Sequence, residues 1–170
     1  KVVPSLKGEF AEKIAIIGFS AGGHLAAHYS TMFDCKEVRE VFPESKSVNA
    51  SVLCYPVITA DPDHAHMGSF YNLLGKRDIT EEDINYFSCE RNVKDTTPPA
   101  FIWHTFTDRT VPVQNALLLA EAMTAANVPF ELHIYPEGQH GLATADHETW
   151  NGNPNADVPH VTTWLPLAVR

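Results

Sequence analysis

Apolar residues in this chain gather in four runs, separated by stretches with a helical period. "KIAIIGF" (Lys13 to Phe19) is continuous rather than alternating, which is the pattern of a strand buried on both faces. From Ala21 to about Phe33 the period turns helical, with Leu25, Tyr29, Met32 and Phe33 on the apolar side. "NASVLCYPVI" (Asn49 to Ile58) predicts a second buried strand, ended by Pro56. "PAFIWHTF" (Pro99 to Phe106) predicts a third. A helix from Pro112 to Asn127 follows it, carrying Val113, Ala116, Leu117, Ala120 and Met123 on one face. "PFELHIYP" (Pro129 to Pro136) is the fourth strand, and His160 to Arg170 reads as a helix that Pro166 kinks. Residues 61–99 break the rhythm: "DPDHAHMGS" is loop-like, "SFYNLLG" is a helical turn, and "TEEDINYF" is a short helix opened by Thr80 and Asp83 in capping-box spacing. The opening dozen residues read as a helix end and a connector.

Strands alternating with helices predict an α/β fold, a mostly parallel sheet with helices on both faces. At 170 residues the chain is one domain with room for a substantial core. A net charge of −9 argues against a nucleic-acid partner, because phosphate binding needs clustered Lys and Arg. No apolar run approaches the ~18 residues of a membrane span, and "KVVPSLKGEF" lacks the apolar core of a signal peptide. Cys35, Cys54 and Cys89 fit neither a disulfide framework nor a CxxC motif. They read as reduced thiols, Cys54 buried in a strand and the others nearer the surface. That is compatible with a cytoplasmic location.

The candidate chemistry lies where the first strand meets the first helix. Gly18-Phe19-Ser20-Ala21-Gly22 is a G-x-S-x-G pentapeptide between a buried strand and a helix, the context that turns a weak motif into a nucleophile elbow. The tight bend strains the serine backbone, and the glycines two positions either side, Gly18 and Gly22, are expected to let strand and helix approach without Cβ clashes. The helix N-terminus aims N–H groups at developing negative charge, with Ala21 N–H the first oxyanion donor.

A serine hydroxyl needs a base, and the base needs an orienting carboxylate. His24 and His28 lie on the helix after the nucleophile, where packing or capping explains them. His64 and His66 lie in the excursion without the carboxylates a metal site would add. His133 is inside a strand, and His160 belongs to the terminal segment. His104 ends the third strand and is expected to line the substrate pocket, as is Phe19, although a satisfied core histidine explains His104 equally well. His140 follows the fourth strand between Gly138 and Gly141, so its loop reaches over the strand ends; His147 is the reserve base. Asp108 follows the third strand directly. Asp95 precedes that strand and belongs at the opposite edge, and Asp61 is the weaker alternative. The order Ser20, Asp108, His140, each on a loop after a different strand, is far more specific than any single motif.

Through "GFSAGGHLAA", "HTFTDRTVPVQNALLLAEAM" and "FELHIYPEGQHGLATA", nearly the whole chain resembles the α/β-hydrolase superfamily, within it the small acetyl-esterase/lipase-like group. The resemblance implies Ser20 as nucleophile, Asp108 as acid and His140 as base, acting on short-acyl, chiefly acetyl, esters without metal or organic cofactor. Residues 61–90 stand where that group carries a cap insertion. Phe19 stands where the hormone-sensitive-lipase-like branch has aspartate, which favours the branch that includes carbohydrate acetyl esterases. Full-length members of the superfamily have strands before the nucleophile strand and a His-Gly-Gly loop giving a second oxyanion donor, and nothing here resembles either. The chain is therefore expected to be the C-terminal portion of a longer enzyme, with the edge Ile14 to Ile17 unpaired and low activity on its own. Rival readings are a serine peptidase of the prolyl-oligopeptidase type, a formamidase, and a non-catalytic binding module derived from a hydrolase.

Overall fold

The computed structural model describes residues 13–150 and 152–169; the helix end expected in the first dozen residues lies outside them. In chain order the elements are β1 (Ala15–Phe19), α1 (Ala21–Met32), α2 (Lys36–Val41), β2 (Ala50–Cys54), α3 (Met67–Leu74), α4 (Glu81–Phe87), β3 (Ala100–Thr105), α5 (Gln114–Ala125), β4 (Phe130–Tyr135), α6 (His147–Trp150) and α7 (Trp164–Ala168), with three short 3₁₀ turns. All four predicted strands are present, each a few residues shorter than its apolar run.

The strands form one sheet in the order β1-β2-β3-β4, parallel throughout. The register pairs Phe19 with Cys54, Cys54 with Trp103, and Thr105 with Tyr135. The carboxyl ends of all four strands therefore lie along one rim. Ser20, Asp108 and His140 each follow a strand within a few residues and are delivered to that rim.

Side chains alternate across the sheet. Leu53 and Ile102 face a cluster built with Ala26 and Ala27 of α1 and Ala116, Leu119 and Met123 of α5. Phe101 and Trp103 face the other way, onto Leu142, Val161 and Trp164 of the C-terminal segment. Both faces are covered, as a parallel sheet requires.

Four readings need correction. β1 is not buried on both faces: among the described residues it pairs with β2 alone, and Ile17 is 52% exposed. On α1 the buried face is Gly23, His24, Ala26, Ala27, Ser30 and Thr31, while Leu25 stands 70% exposed. Small side chains let the helix lie close to the sheet, and the larger Leu25 points away. On α5 Leu119 takes the buried place expected of Leu117. Cys89 is fully buried rather than near the surface; Cys35 is half-buried and Cys54 buried, and all three are free thiols.

The excursion folds as α3 and α4. Thr80 caps α4 and forms the expected reciprocal box with Asp83. Both helices pack on α1: His24 Nε2 donates to Phe87 O at 2.8 Å and His28 Nε2 to Tyr86 O at 3.1 Å, with the His24 ring edge-on to Phe70. Asn115, buried at the start of α5, ties the base of this excursion. Its Oδ1 accepts from the N–H groups of Ile58 and Thr59, and its Nδ2 donates to His64 O and Pro112 O.

Candidate active site

Ser20 occupies the sharp turn between β1 and α1 at φ 54° and ψ −119°. A non-glycine residue there stores strain, which persists only when the surroundings over-determine it. Here they do. Ser20 N–H donates to Cys54 O at 3.0 Å, and Ser20 O accepts from Val57 N–H at 3.1 Å and His24 N–H at 3.2 Å. A Cβ on Gly18 would collide with the Gly22 carbonyl and lie 2.8 Å from Gly23 Cα, so strand and helix touch backbone to backbone. Gly22 itself faces open space. The second close approach belongs to Gly23, whose Cβ would fall 2.8 Å from Pro56 Cβ.

Ser20 Oγ lies 2.7 Å from His140 Nε2, and His140 Nδ1 lies 2.6 Å from Asp108 Oδ2. A carboxylate only accepts, so the His140 hydrogen sits on Nδ1. Nε2 is then left free to accept from the serine hydroxyl. Asp108 Oδ1 accepts from the N–H groups of Thr110 and Val111 at 2.9 and 3.0 Å. Burial by itself would push the Asp108 carboxyl up, but donors from His104, His140 and Val111 outweigh it and hold the group well below the usual carboxylate range. The arrangement can take a proton from Ser20 and stabilise the resulting imidazolium.

Two loops hold this geometry. Gly138 donates to Thr107 Oγ1 at 2.9 Å, and its carbonyl accepts from Thr105 and Thr107 hydroxyls at 2.9 and 3.1 Å. The loop bearing His140 is thus clamped to the loop bearing Asp108. Further along, Ala143 N–H donates to Tyr55 Oη at 3.1 Å, and Ala143 O accepts from Trp164 Nε1 at 2.9 Å. The Tyr55 ring meets His140 edge-on at 5.0 Å, and burial pushes its hydroxyl up to about 12. Sequence reasoning missed Tyr55. Its signal was slight: an aromatic residue immediately before the proline that ends β2.

The two expected pocket residues do not line an opening. His104 is fully buried behind Asp108, because β3 is central and covered on both faces. Phe19 is half-buried and packs 6.0 Å from the rings of Tyr55 and Trp164, as scaffold beneath the loops. A depression of about 450 Å³ beside His140 is lined instead by Thr107, Arg109, Thr110, Gln139 and Asn155, among others. Ala21 is exposed as the first residue of α1, where helical geometry leaves its N–H without an intrahelical acceptor. His66 is occupied with Ser69, and among the described residues no three potential metal ligands converge.

The BD-FAE family model matches residues 9–123, more than half of the chain. The chain belongs to the BD-FAE family. It is 40% identical over 155 residues to an acetylxylan esterase of Xylanibacter ruminicola, covering 89% of this chain and 30% of that protein. It is also 40% identical over 145 residues to endo-1,4-beta-xylanase B of Butyrivibrio fibrisolvens, covering 83% of this chain and 22% of the relative. The chain thus spans under a third of the length of these curated relatives. Among solved structures, a carboxylesterase from Lactobacillus plantarum superimposes with a TM-score of 0.80 at 29% identity, over 99% of this chain and 62% of that one. An acetyl ester-xyloside bifunctional hydrolase from Caldicellulosiruptor lactoaceticus gives 0.70 at 39% identity, over 91% and 56%. This BD-FAE chain has the α/β-hydrolase fold of those esterases. No helix among the described residues is long and apolar enough to cross a membrane.

Proposed function

We propose that this BD-FAE chain carries the catalytic residues of a serine carboxylesterase that hydrolyses short-acyl esters, acetyl foremost, of sugars or xylo-oligosaccharides. The observation that carries this reading is the unbroken row Ser20 Oγ, His140 Nε2, His140 Nδ1, Asp108 Oδ2, with contacts of 2.7 and 2.6 Å. Kinship with proteins named for acetylxylan and acetyl-ester hydrolysis supports the acyl and alcohol halves.

Ser20 Oγ attacks the ester carbonyl as its proton passes to His140 Nε2. Asp108 accepts the Nδ1–H and stabilises the imidazolium, remaining ionised itself. The tetrahedral oxyanion is received by Ala21 N–H. Collapse breaks the bond to the alcohol, which leaves with the proton from Nε2. Water, deprotonated by the same nitrogen, then attacks the acyl carbon, and the bond to Ser20 Oγ breaks as Nε2 returns the proton to that oxygen. No step calls for a metal or organic cofactor. In this reading α3 and α4, seated on α1, serve as the cap, and three unbonded thiols suit a reducing compartment.

Hydrolysis of p-nitrophenyl acetate, followed by a panel of acetylated xylo-oligosaccharides and long-chain esters, tests the proposal. Ser20→Ala is expected to remove turnover while leaving the fold intact, and acetyl esters are expected to lead the panel. Full turnover by Ser20→Ala overturns the nucleophile, and a preference for long acyl chains overturns the substrate class.

A further inference from the structure

The row of polar contacts does not stop at Asp108. His104 lies four residues earlier, in β3, and is wholly buried. Its Nε2 is 2.9 Å from Val111 O and 3.4 Å from Asp108 Oδ2. A carbonyl oxygen only accepts, so the ring hydrogen sits on Nε2. The other nitrogen, Nδ1, is buried without a hydrogen-bond partner. A second N–H there would be a buried donor with nothing to receive it, so Nδ1 carries the lone pair. One tautomer is fixed: its single N–H is given to Val111 O, and the carboxylate oxygen that also receives His140 lies 3.4 Å from the same nitrogen.

We propose that His104 is a positioning residue: its Nε2–H, pinned by Val111 O, holds Asp108 Oδ2 on the line along which His140 Nδ1–H arrives. The proposal rests on the esterase reading above. Backbone N–H groups of Thr110 and Val111 hold Oδ1, while Oδ2 lies between His140 Nδ1 at 2.6 Å and His104 Nε2 at 3.4 Å, so a turning carboxylate meets a neighbour at each oxygen. Without His104, Oδ2 is located by His140 alone. The acid would then follow the base instead of orienting it.

Other groups around this pair are Ser20 from the β1–α1 turn, Tyr55 from the end of β2, and Arg109 and Glu137 in the depression beside His140. Tyr55 stays uncharged over the working range, because burial pushes its hydroxyl up to about 12. Arg109 and Glu137 stand at the open side, where solvent screens them. His104 is the group that meets the carboxylate from behind.

The test compares wild type, His104→Gln and His104→Phe with p-nitrophenyl acetate between about pH 5 and 9, alongside thermal unfolding. His104→Phe is expected to lower kcat roughly 10- to 100-fold with KM little changed, since a misplaced acid impairs the transition state rather than binding. The acid limb of kcat/KM is expected to move up by about half a unit, because a carboxylate with fewer donors favours the His140 imidazolium more strongly. His104→Gln, which keeps an N–H, is expected to recover most of the rate and the original limb. An unmoved limb in His104→Phe, or equal losses in both variants, overturns the proposal. Should His104→Phe fail to fold, ¹⁵N imidazole spectra of the wild-type chain decide: the hydrogen on Nε2 of His104 is expected, and the Nδ1–H form contradicts it. Full turnover by Ser20→Ala would sink the esterase reading instead, while leaving the His104 tautomer readable.

Discussion

The turn at Ser20 and the loop at His140 bring two side chains 2.7 Å apart on one rim, but they are held in different ways. The turn is fixed by backbone. Its strain is balanced by hydrogen bonds to Cys54 and Val57, and by Gly18 lying against Gly22 and Gly23. The loop is fixed by borrowed side chains: Thr105 and Thr107 grip Gly138, and Tyr55 and Trp164 grip Ala143 from opposite sides. The geometry at Ser20 thus rests on backbone contacts between Gly18 and Gly23 and with the end of β2 and the chain just after it. The geometry at His140 rests on side chains as distant as Tyr55 and Trp164.

The largest break in this contrast is expected at Gly18. Gly18→Ala drives a methyl into the Gly22 carbonyl, and neither backbone can move without unmaking the turn. A loss of about 3 kcal/mol or more in denaturant unfolding is expected, with activity gone. Gly22→Ala, two residues past the serine, meets nothing within 4 Å and is expected to unfold like wild type. If the two behave alike, the turn is not held by close backbone approach.

Next in size is a pH effect on the Ser20 side. Burial drives His24 down from 6.5 to about 4, with His28 beside it adding to the shift and the Phe87 carbonyl opposing it. The folded state binds this proton more weakly than the unfolded state, so the fold is fully stable above pH 6.5 and loses stability as pH falls from there towards 4. The loss amounts to about 3 kcal/mol once complete. Urea midpoints measured across that window should fall for wild type and fall much less for His24→Gln. Equal slopes would remove the buried imidazole from the account.

On the loop side, Tyr55→Phe keeps the ring against His140 and deletes the acceptor for Ala143 N–H. About 1 kcal/mol of stability is expected to go, together with a several-fold fall in kcat and little change in KM. An unchanged kcat would mean that the loop does not need this anchor. Smallest is Thr80→Ala in the α4 cap, expected to cost about 1 kcal/mol in unfolding with kinetics unaltered, because the bonds it loses run to Asp83 within α4.

The same contrast explains what could be read from the sequence. Strand and helix order followed from apolar runs, and the meeting of Ser20, His140 and Asp108 followed from a local motif plus the rule that strand ends share a rim. The sequence pattern points Leu25 and Leu117 inward because size usually predicts burial. The close packing of α1 reverses this by burying Gly23, Ala26 and Ala27. Nearness to strand ends points His104 and Phe19 to the pocket. Whether such a side chain turns towards solvent or core depends on pleat and on what covers the sheet. Tyr55, Thr105, Thr107, Asn115 and Trp164 act through contacts far apart in sequence, and no spacing rule reaches them.

The central claim is that Ser20 is activated by His140 under the control of Asp108, and covalent capture tests it most directly. A fluorophosphonate probe, followed by mass-spectrometric mapping, should mark Ser20 in the wild-type chain. Labelling should slow by about a thousandfold or more in Asp108→Asn, where the imidazole is held in the wrong tautomer. A label on another serine, or undiminished labelling of Asp108→Asn, would contradict it.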